Sequence, residues 1–388
     1  MMHVFLDNSS TTKQYGKVTS KMLHFMESDF GNPSSLHSMG LSAERAIKEA
    51  RKSVGDALGF DPSEVCFTSG GTEAANLAFF GAANGRKRRG NKIITSVAEH
   101  PAVLECCKRL SDMGFEVSYI GVDEKCRLDL EMLRSAVCDK TILISAMHVN
   151  NEVGTIFQVD EIAGIKGNAV FHTDAVQSLG KIPVGAVKAD IVTVSAHKIH
   201  GPKGAGAIGI RKGLNVEPLI FGGGQEKGLR SGTENVPAIA GFGAAAEIAA
   251  SGGRSRAESM ASVRRYLLEG IKAEVVDIKI NSVEEVGIDG ESGYCSPSIL
   301  NVSFLGTRGE VILHSLESEG IFVSTGAACS SNKKGKSSVL TAMGLSDKEI
   351  EGALRFSFSE FNTTDEMDYV LSKLKERVGS FRKLGSYR

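Results

Sequence analysis

The stretch Ser195-Ala196-His197-Lys198-Ile199-His200-Gly201-Pro202-Lys203-Gly204 sets one lysine between a β-rich apolar run, Asp190–Val194, and a glycine-rich turn. A lysine at a strand end, flanked by hydroxyl and imidazole groups, can hold an aldehyde cofactor as a Schiff base. Other segments offer complementary groups. Thr68-Ser69-Gly70-Gly71-Thr72-Glu73 follows an apolar run and opens a helical pattern. Its small residues bare backbone N–H groups and the helix start adds partial positive charge, which suits a phosphate. The segment lacks the Lys-Ser/Thr ending of a nucleotide loop and the spacing of a dinucleotide fingerprint. An ordinary strand-to-helix turn has the same composition.

Asp174, in His172-Thr173-Asp174-Ala175-Val176-Gln177, ends another apolar run. A carboxylate there can pair with a protonated pyridine nitrogen and strengthen it as an electron sink; Gln177 could reach the same ring. An N-capping aspartate at a helix start fits the residue as well. His100, in Glu99-His100-Pro101, could stack on a flat ring and move protons, or belong to a surface loop. Asn150-Asn151-Glu152-Val153-Gly154 offers amide donors past a further strand. Together these place a phosphate turn, a His, an Asn, an Asp and a Lys at successive strand ends, a coincidence chance explains poorly.

A thiol stands apart from this group. Ser324-Thr325-Gly326-Ala327-Ala328-Cys329-Ser330-Ser331 precedes a lysine-rich stretch, Asn332–Ser338. Small and polar residues predict a mobile, accessible loop, and neighbouring lysines favour the thiolate. The other six cysteines read as small buried residues. The seven together show no paired metal-ligand spacing and fit a reducing cytoplasm.

These groups need a scaffold. Strand patterns at Val65–Thr68, Lys92–Ser96, Glu116–Ile120, Ile142–Val149, Ala169–His172, Ile191–Ser195 and Ala207–Arg211 alternate with helical ones such as Glu73–Ala83, Ala102–Met113 and Leu130–Val137. Near-continuous apolar strands predict a mainly parallel sheet sandwiched by helices, an α/β domain whose ligands gather at the carboxyl ends of the strands. After Asn235 the pattern changes to Ala238–Ala250, a Gly252-Gly253 break, a long amphipathic stretch and shorter strands. This predicts a large domain over 16–255 and a smaller α+β domain from 1–15 and 256–388. A net charge of −1 argues against a general nucleic-acid or membrane-surface binder. The basic run Arg86–Arg89 reads as a solvated loop. No stretch reaches the ~20 apolar residues of a membrane span, and no signal peptide is expected before His3–Leu6.

The chain resembles the cysteine desulfurases of the NifS/IscS type, within the pyridoxal-phosphate enzymes of the aspartate-aminotransferase fold (fold type I). The resemblance runs through Phe5–Thr12, Phe30–Ser35, the phosphate turn, Val149–Gly154, Asp174–Gln177, the lysine segment, Gly222–Asn235 and Ser324–Ser331. It implies that Lys198 carries the cofactor, Asp174 pairs with its ring nitrogen, Gln177 bonds the ring hydroxyl, and His100 stacks and shuttles protons. Gly71, Thr72, Ser195 and His197 would bind the phosphate, joined by Thr233 from a neighbouring subunit, so that a homodimer shares its sites. Asn151 would lie beside the ring, and Arg355, helped by Asn32 and Asn151, would hold the carboxylate of L-cysteine. Cys329 would take the sulfur as a persulfide, leaving L-alanine, and pass it to an iron–sulfur scaffold protein or to tRNA thiolation. It could also ligate a cluster transiently.

Two features depart from the family pattern: Gly71 replaces a common alanine, and many bacterial members continue further beyond Phe381–Leu384 in a tail that contacts the scaffold. A selenocysteine lyase or aminotransferase of the same fold would share Lys198 and Asp174 without the same need for Cys329. A non-catalytic cluster-binding relative would not need Lys198.

Overall fold

The computed structural model describes residues 2–185, 187–325 and 336–385. The reading of Cys329 as a loop thiol falls outside the described residues.

The chain starts with β1 (Val4–Phe5), and seven strands then build the main sheet: β2 (Val65–Thr68), β3 (Lys92–Ser96), β4 (Glu116–Ile120), β5 (Thr141–Ser145), β6 (Val170–Asp174), β7 (Ile191–Ser195) and β8 (Gly206–Ile210). Their order is β2-β8-β7-β6-β5-β3-β4. Only β8 runs against its neighbours, β2 and β7; every other pair is parallel. Since β2 and β7 both oppose β8, they share a direction, and six strands therefore end at one edge. The segments that carry the candidate groups leave from that edge.

Near-continuous apolar strands follow from burial on both faces. Phe67, Ile94, Phe171 and Val192 join a core that also draws on α1 (Gly16–Glu27) and α2 (Ser38–Leu58). Their sequence neighbours Cys66, Ile93, Val170 and Ile191 point the other way, onto α3 (Gly71–Arg86) and α4 (Pro101–Asp112). The first core also takes residues of α5 (Leu130–Ala136), α6 (Val159–Ile165) and α7 (Val236–Ala250). Small residues let α7 press against α2: a Cβ at Gly243 would come within 2.5 Å of Ala50 Cα.

A separate core unites Val4 and Leu6 with α8 (Gly253–Glu274), β9 (Ile278–Ile280), β10 (Ile299–Phe304), α9 (Gly309–Glu317) and β11 (Ile321–Phe322). It continues, after α10 (Ser338–Ala342) and α11 (Asp347–Glu351), into β12 (Ala353–Ser357) and α12 (Thr364–Gly385). Strands β12, β10 and β9 form an antiparallel sheet, while β1 lies parallel to β11. Val339 and Leu340 of α10 pack into the first core, so the chain crosses back between the two.

The run Ile142–Val149 departs from expectation. The strand spans Thr141–Ser145 only, and the chain then leaves the sheet. Asn150 Oδ1 accepts from the N–H groups of Glu152 and Val153, closing a turn that apolar patterning does not reveal. Among the described residues no helix is long and apolar enough to cross a membrane.

Candidate active site

Lys198 ends a single 3-10 turn, Ala196–Lys198, directly after β7. Its Nζ donates to the carbonyls of Ser9 and, at 2.8 Å, Ser10. The Ser9 carbonyl also accepts from Gln177 Nε2 at 2.9 Å. Ser10 Oγ accepts from Arg355 Nη2 at 2.9 Å, and Arg355 Nη1 donates to the carbonyl of Asn151 at 2.8 Å. One connected network thus holds Lys198, Gln177, Asn151 and Arg355, with the N-terminal segment as its hub.

The strand ends supply the opposite wall. Asp174 is the last residue of β6, and its Oδ1 accepts from Val176 N–H at 2.9 Å. Burial pushes this carboxyl group up, while that N–H, His100 and Lys198 pull it down. His100 is the N-cap of α4, and its Nδ1 accepts from Ala102 N–H at 3.1 Å. A neutral ring therefore carries its proton on Nε2. Burial holds this imidazole below its usual range, against the pull of Asp174 and with help from Lys198. His197 is lowered to about 4 by burial and by Lys198, Lys203 and Lys181; its Nδ1 lies 3.2 Å from Thr11 Oγ1.

At the head of α3, Gly70 and Gly71 open the helix without side chains. Gly206 of β8 pairs with both Thr68 and Ser195, which brings Ser195 alongside the turn. A Cβ on Gly206 would lie 2.6 Å from the carbonyl carbon of Gly70, so only glycine permits this approach. Thr72 is exposed in the first turn of α3. Asn32 and Thr233 are also exposed, and among the described residues neither shares a hydrogen bond with this network: Asn32 Oδ1 caps its own turn through Ser34 N–H. The Thr233 segment is tied to the turn indirectly, by Arg230 Nε on Glu73 Oε1 at 3.0 Å.

Four buried polar atoms in or beside the network have no partner among the described residues: Gln177 Oε1, Asn151 Oδ1, Arg355 Nε and Ser9 Oγ. Buried polar groups are rarely left this way unless a ligand or water completes them. Amide oxygens, a guanidinium N–H, an aspartate, a lysine and a bare helix N-terminus fit a phosphorylated pyridine aldehyde together with an amino acid.

Sequence reasoning passed over three contributors. The Asp7–Thr12 segment carries part of the family resemblance, but its residues were given no role in the site. Asp7 Oδ1 pairs with Arg355 Nη2 at 2.9 Å. Glu99, one residue from His100, is wholly buried; its Oε1 accepts from Ser96 Oγ and Met147 N–H while Oε2 has no partner. Burial pushes it up to about 8, so it is largely a neutral acid at pH 7. Glu152, beside Asn151, is buried as well.

Residues 4–370 match the aminotransferase class-V family. A cysteine desulfurase IscS of Clostridium botulinum is 40% identical over 385 residues, covering 98% of this chain and 96% of the relative. One from Methanosarcina thermophila is 41% identical over 385 residues, covering 98% of this chain and 93% of its own. A solved NifS-like protein superposes with a TM-score of 0.89 at 39% identity, covering 97% of this chain and 99% of the other.

The chain belongs to the cysteine desulfurases. It is a pyridoxal-phosphate-dependent enzyme with the fold of that family, a mostly parallel sheet flanked by helices. In this cysteine desulfurase, Lys198 stands in the network that joins Gln177, Asn151 and Arg355 through Ser9 and Ser10.

Proposed function

We propose that this desulfurase moves the sulfur of L-cysteine onto Cys329 as a persulfide, releases L-alanine, and delivers the sulfur to iron–sulfur cluster assembly. The observation that carries the reading is the convergence of unpartnered buried atoms from Gln177, Asn151 and Arg355 on the network of Lys198. Lys198 would hold the cofactor aldehyde; Gly71, Thr72, Ser195 and His197 would take its phosphate; Asp174 would serve the ring nitrogen, Gln177 the ring hydroxyl, and Asn151 and His100 the ring itself. Arg355, with Asn32, holds the substrate carboxylate. When bound, the cofactor accepts the electron pair released at the substrate α-carbon.

The protein's part is then proton traffic and sulfur capture. Lys198 Nζ would take the substrate α-proton. Asp174 stays anionic beside a protonated nitrogen, where opposite charge offsets the cost of its burial. Cys329 thiolate attacks the substrate sulfur: the S–S bond forms as Cβ–S breaks, the electron pair stays on the three-carbon fragment, and protonation there gives alanine.

Thr233 reaches the phosphate of a partner copy in this reading, making the enzyme a homodimer. Phe30, Leu36 and Phe221 support it, since these large apolar residues are exposed next to the Asn32 and Gly222–Asn235 segments. The setting proposed is the cytoplasm, with a scaffold protein as main acceptor and tRNA thiolation as a second outlet. Replacing Cys329 with Ala and measuring alanine and trapped persulfide tests the mechanism. Both should vanish while cysteine still perturbs the cofactor spectrum; undiminished alanine with persulfide would overturn it.

A further inference from the structure

Glu152 is a buried carboxylate to which the reaction above gives no task. Its Oε2 accepts from Ser337 Oγ at 2.5 Å. Ser337 is the N-cap of α10, its Oγ accepting from Leu340 N–H at 3.0 Å while its carbonyl accepts from Thr341 Oγ1 at 2.7 Å. The hydroxyl has one proton, and it goes to Glu152, so this oxygen of Glu152 serves as an acceptor. Burial pushes the acid up, whereas Ser337 and Arg355 draw it back down.

The main chain of Glu152 is fixed independently. Its N–H donates to Asn150 Oδ1 at 2.9 Å, and its carbonyl accepts from Asn301 Nδ2 at 3.1 Å on β10. One residue earlier, Asn151 gives its carbonyl to Arg355 and leaves Oδ1 unpartnered in the cofactor pocket. In sequence, Cys329 lies between Ser324 and Ser337. Ser324 exchanges main-chain bonds with Arg355, at 3.1 Å and 2.6 Å. Each of these two bracketing serines is thus tied to the Asn151–Glu152–Arg355 group, one by a backbone ladder and the other by a single side-chain bond.

We propose that Glu152 is a positioning residue for the sulfur-capture half of the reaction, fixing Ser337 and hence the C-terminal root of the Cys329 segment relative to the cofactor pocket. The inference rests on Cys329 being the sulfur acceptor. It assigns Glu152 no contact with substrate or cofactor. A backbone ladder survives side-chain substitution, so the Ser324 root is robust and the Ser337 root is the one a mutation can release.

The test separates the two halves in the cofactor-loaded enzyme. Stopped-flow absorbance after mixing with L-cysteine reports substrate engagement, and single-turnover alanine with trapped persulfide reports capture. In Glu152→Ala, capture should slow about tenfold, the scale of one lost buried hydrogen bond, while the absorbance step changes less than about twofold. Glu152→Gln keeps an acceptor oxygen and should recover to within about threefold of wild type. Ser337→Ala, which leaves the cofactor-side loop untouched, should slow capture as Glu152→Ala does. The double variant should be no slower than either single one.

Equal slowing of both steps in Glu152→Ala and Ser337→Ala, or of neither, would overturn the proposal, as would additive losses in the double variant. Cys329→Ala is run alongside: if it still forms persulfide and alanine at the wild-type rate, the acceptor reading fails, whatever the Glu152 variants do.

Discussion

Lys198 has polar groups on two sides, and the two sides are built differently. Toward the strand ends, Gln177, Asn151, Arg355 and Ser9 leave buried atoms unpartnered. Behind the lysine's main chain, polar groups are equally dense but complete. Lys181 Nζ donates to the carbonyl of Lys198 at 3.0 Å. Tyr15 hydroxyl donates to Glu360 Oε1 at 2.7 Å, and Arg256 pairs with Glu360 while donating to the carbonyls of Ile248 and Ala249. His200 Nδ1 meets the carbonyl of Lys13 at 2.7 Å. The cavity there is ≈ 20 Å³, room for one water. Both sides depress a basic group by burial, His100 in front and Lys181, to about 7, behind. Perturbed acidity therefore does not tell the two apart. Hydrogen-bond completeness does: the unfinished side is built for a ligand and the finished side for the fold.

The sharpest break between the sides is Lys198→Ala. It should cut alanine formation from cysteine by roughly 10³-fold or more and abolish the cofactor's visible band, since a nucleophile and proton carrier is lost. An intact absorbance band with measurable turnover would dissolve the distinction. On the finished side, Glu360→Leu takes the acceptor from the Tyr15 hydroxyl and the ion-pair partner from Arg256, which keeps its bonds to Ile248 and Ala249. Unfolding in denaturant should show a loss of about 2–3 kcal/mol, with per-site activity of the folded fraction close to wild type.

On the unfinished side, Asn151→Ala should weaken cofactor or substrate binding by about tenfold yet leave the melting temperature of the apoprotein nearly unchanged, because no internal partner is lost to that side chain. The subtlest contrast involves Glu99, whose pKa is raised by burial in the fold to about 8 from the usual 4.5. The unfolded chain releases this proton at lower pH than the folded chain. Its contribution is whole below about pH 4.5 and is lost as pH rises through about 8. Glu99→Gln keeps the neutral shape without titrating. The stability of this variant relative to wild type should therefore improve by at least about 1 kcal/mol between pH 5 and pH 9. A difference independent of pH would mean that Glu99 is ionised throughout.

Much of this was legible beforehand, for a physical reason. Strands buried on both faces write themselves as apolar runs, and the residue at which a run stops marks the sheet edge. Asp174, Ser195, Lys198 and His100 were found that way. What escaped was anything whose meaning lies in a distant partner. Ile142–Val149 reads as one run, but Asn150 turns the chain at its end. The three residues of β9 are too few for a pattern, being defined by pairing with β10. Glu99 and Glu152 look like solvated charges until their burial is seen. Asp7–Thr12 carries no periodicity at all, because it contributes mainly carbonyls and hydroxyls, which composition does not distinguish.

That last segment also sets when the enzyme can come into being. Asp7 and Arg355 lie 348 residues apart, and β1 pairs with β11. A ribosome delivers Asp7–Thr12 well before the strand bearing Arg355. Until then Ser9 and Ser10 cannot present both Lys198 and Arg355 with their carbonyl and hydroxyl oxygens. Chains that stop short of Arg355 would possess the lysine but not the finished pocket.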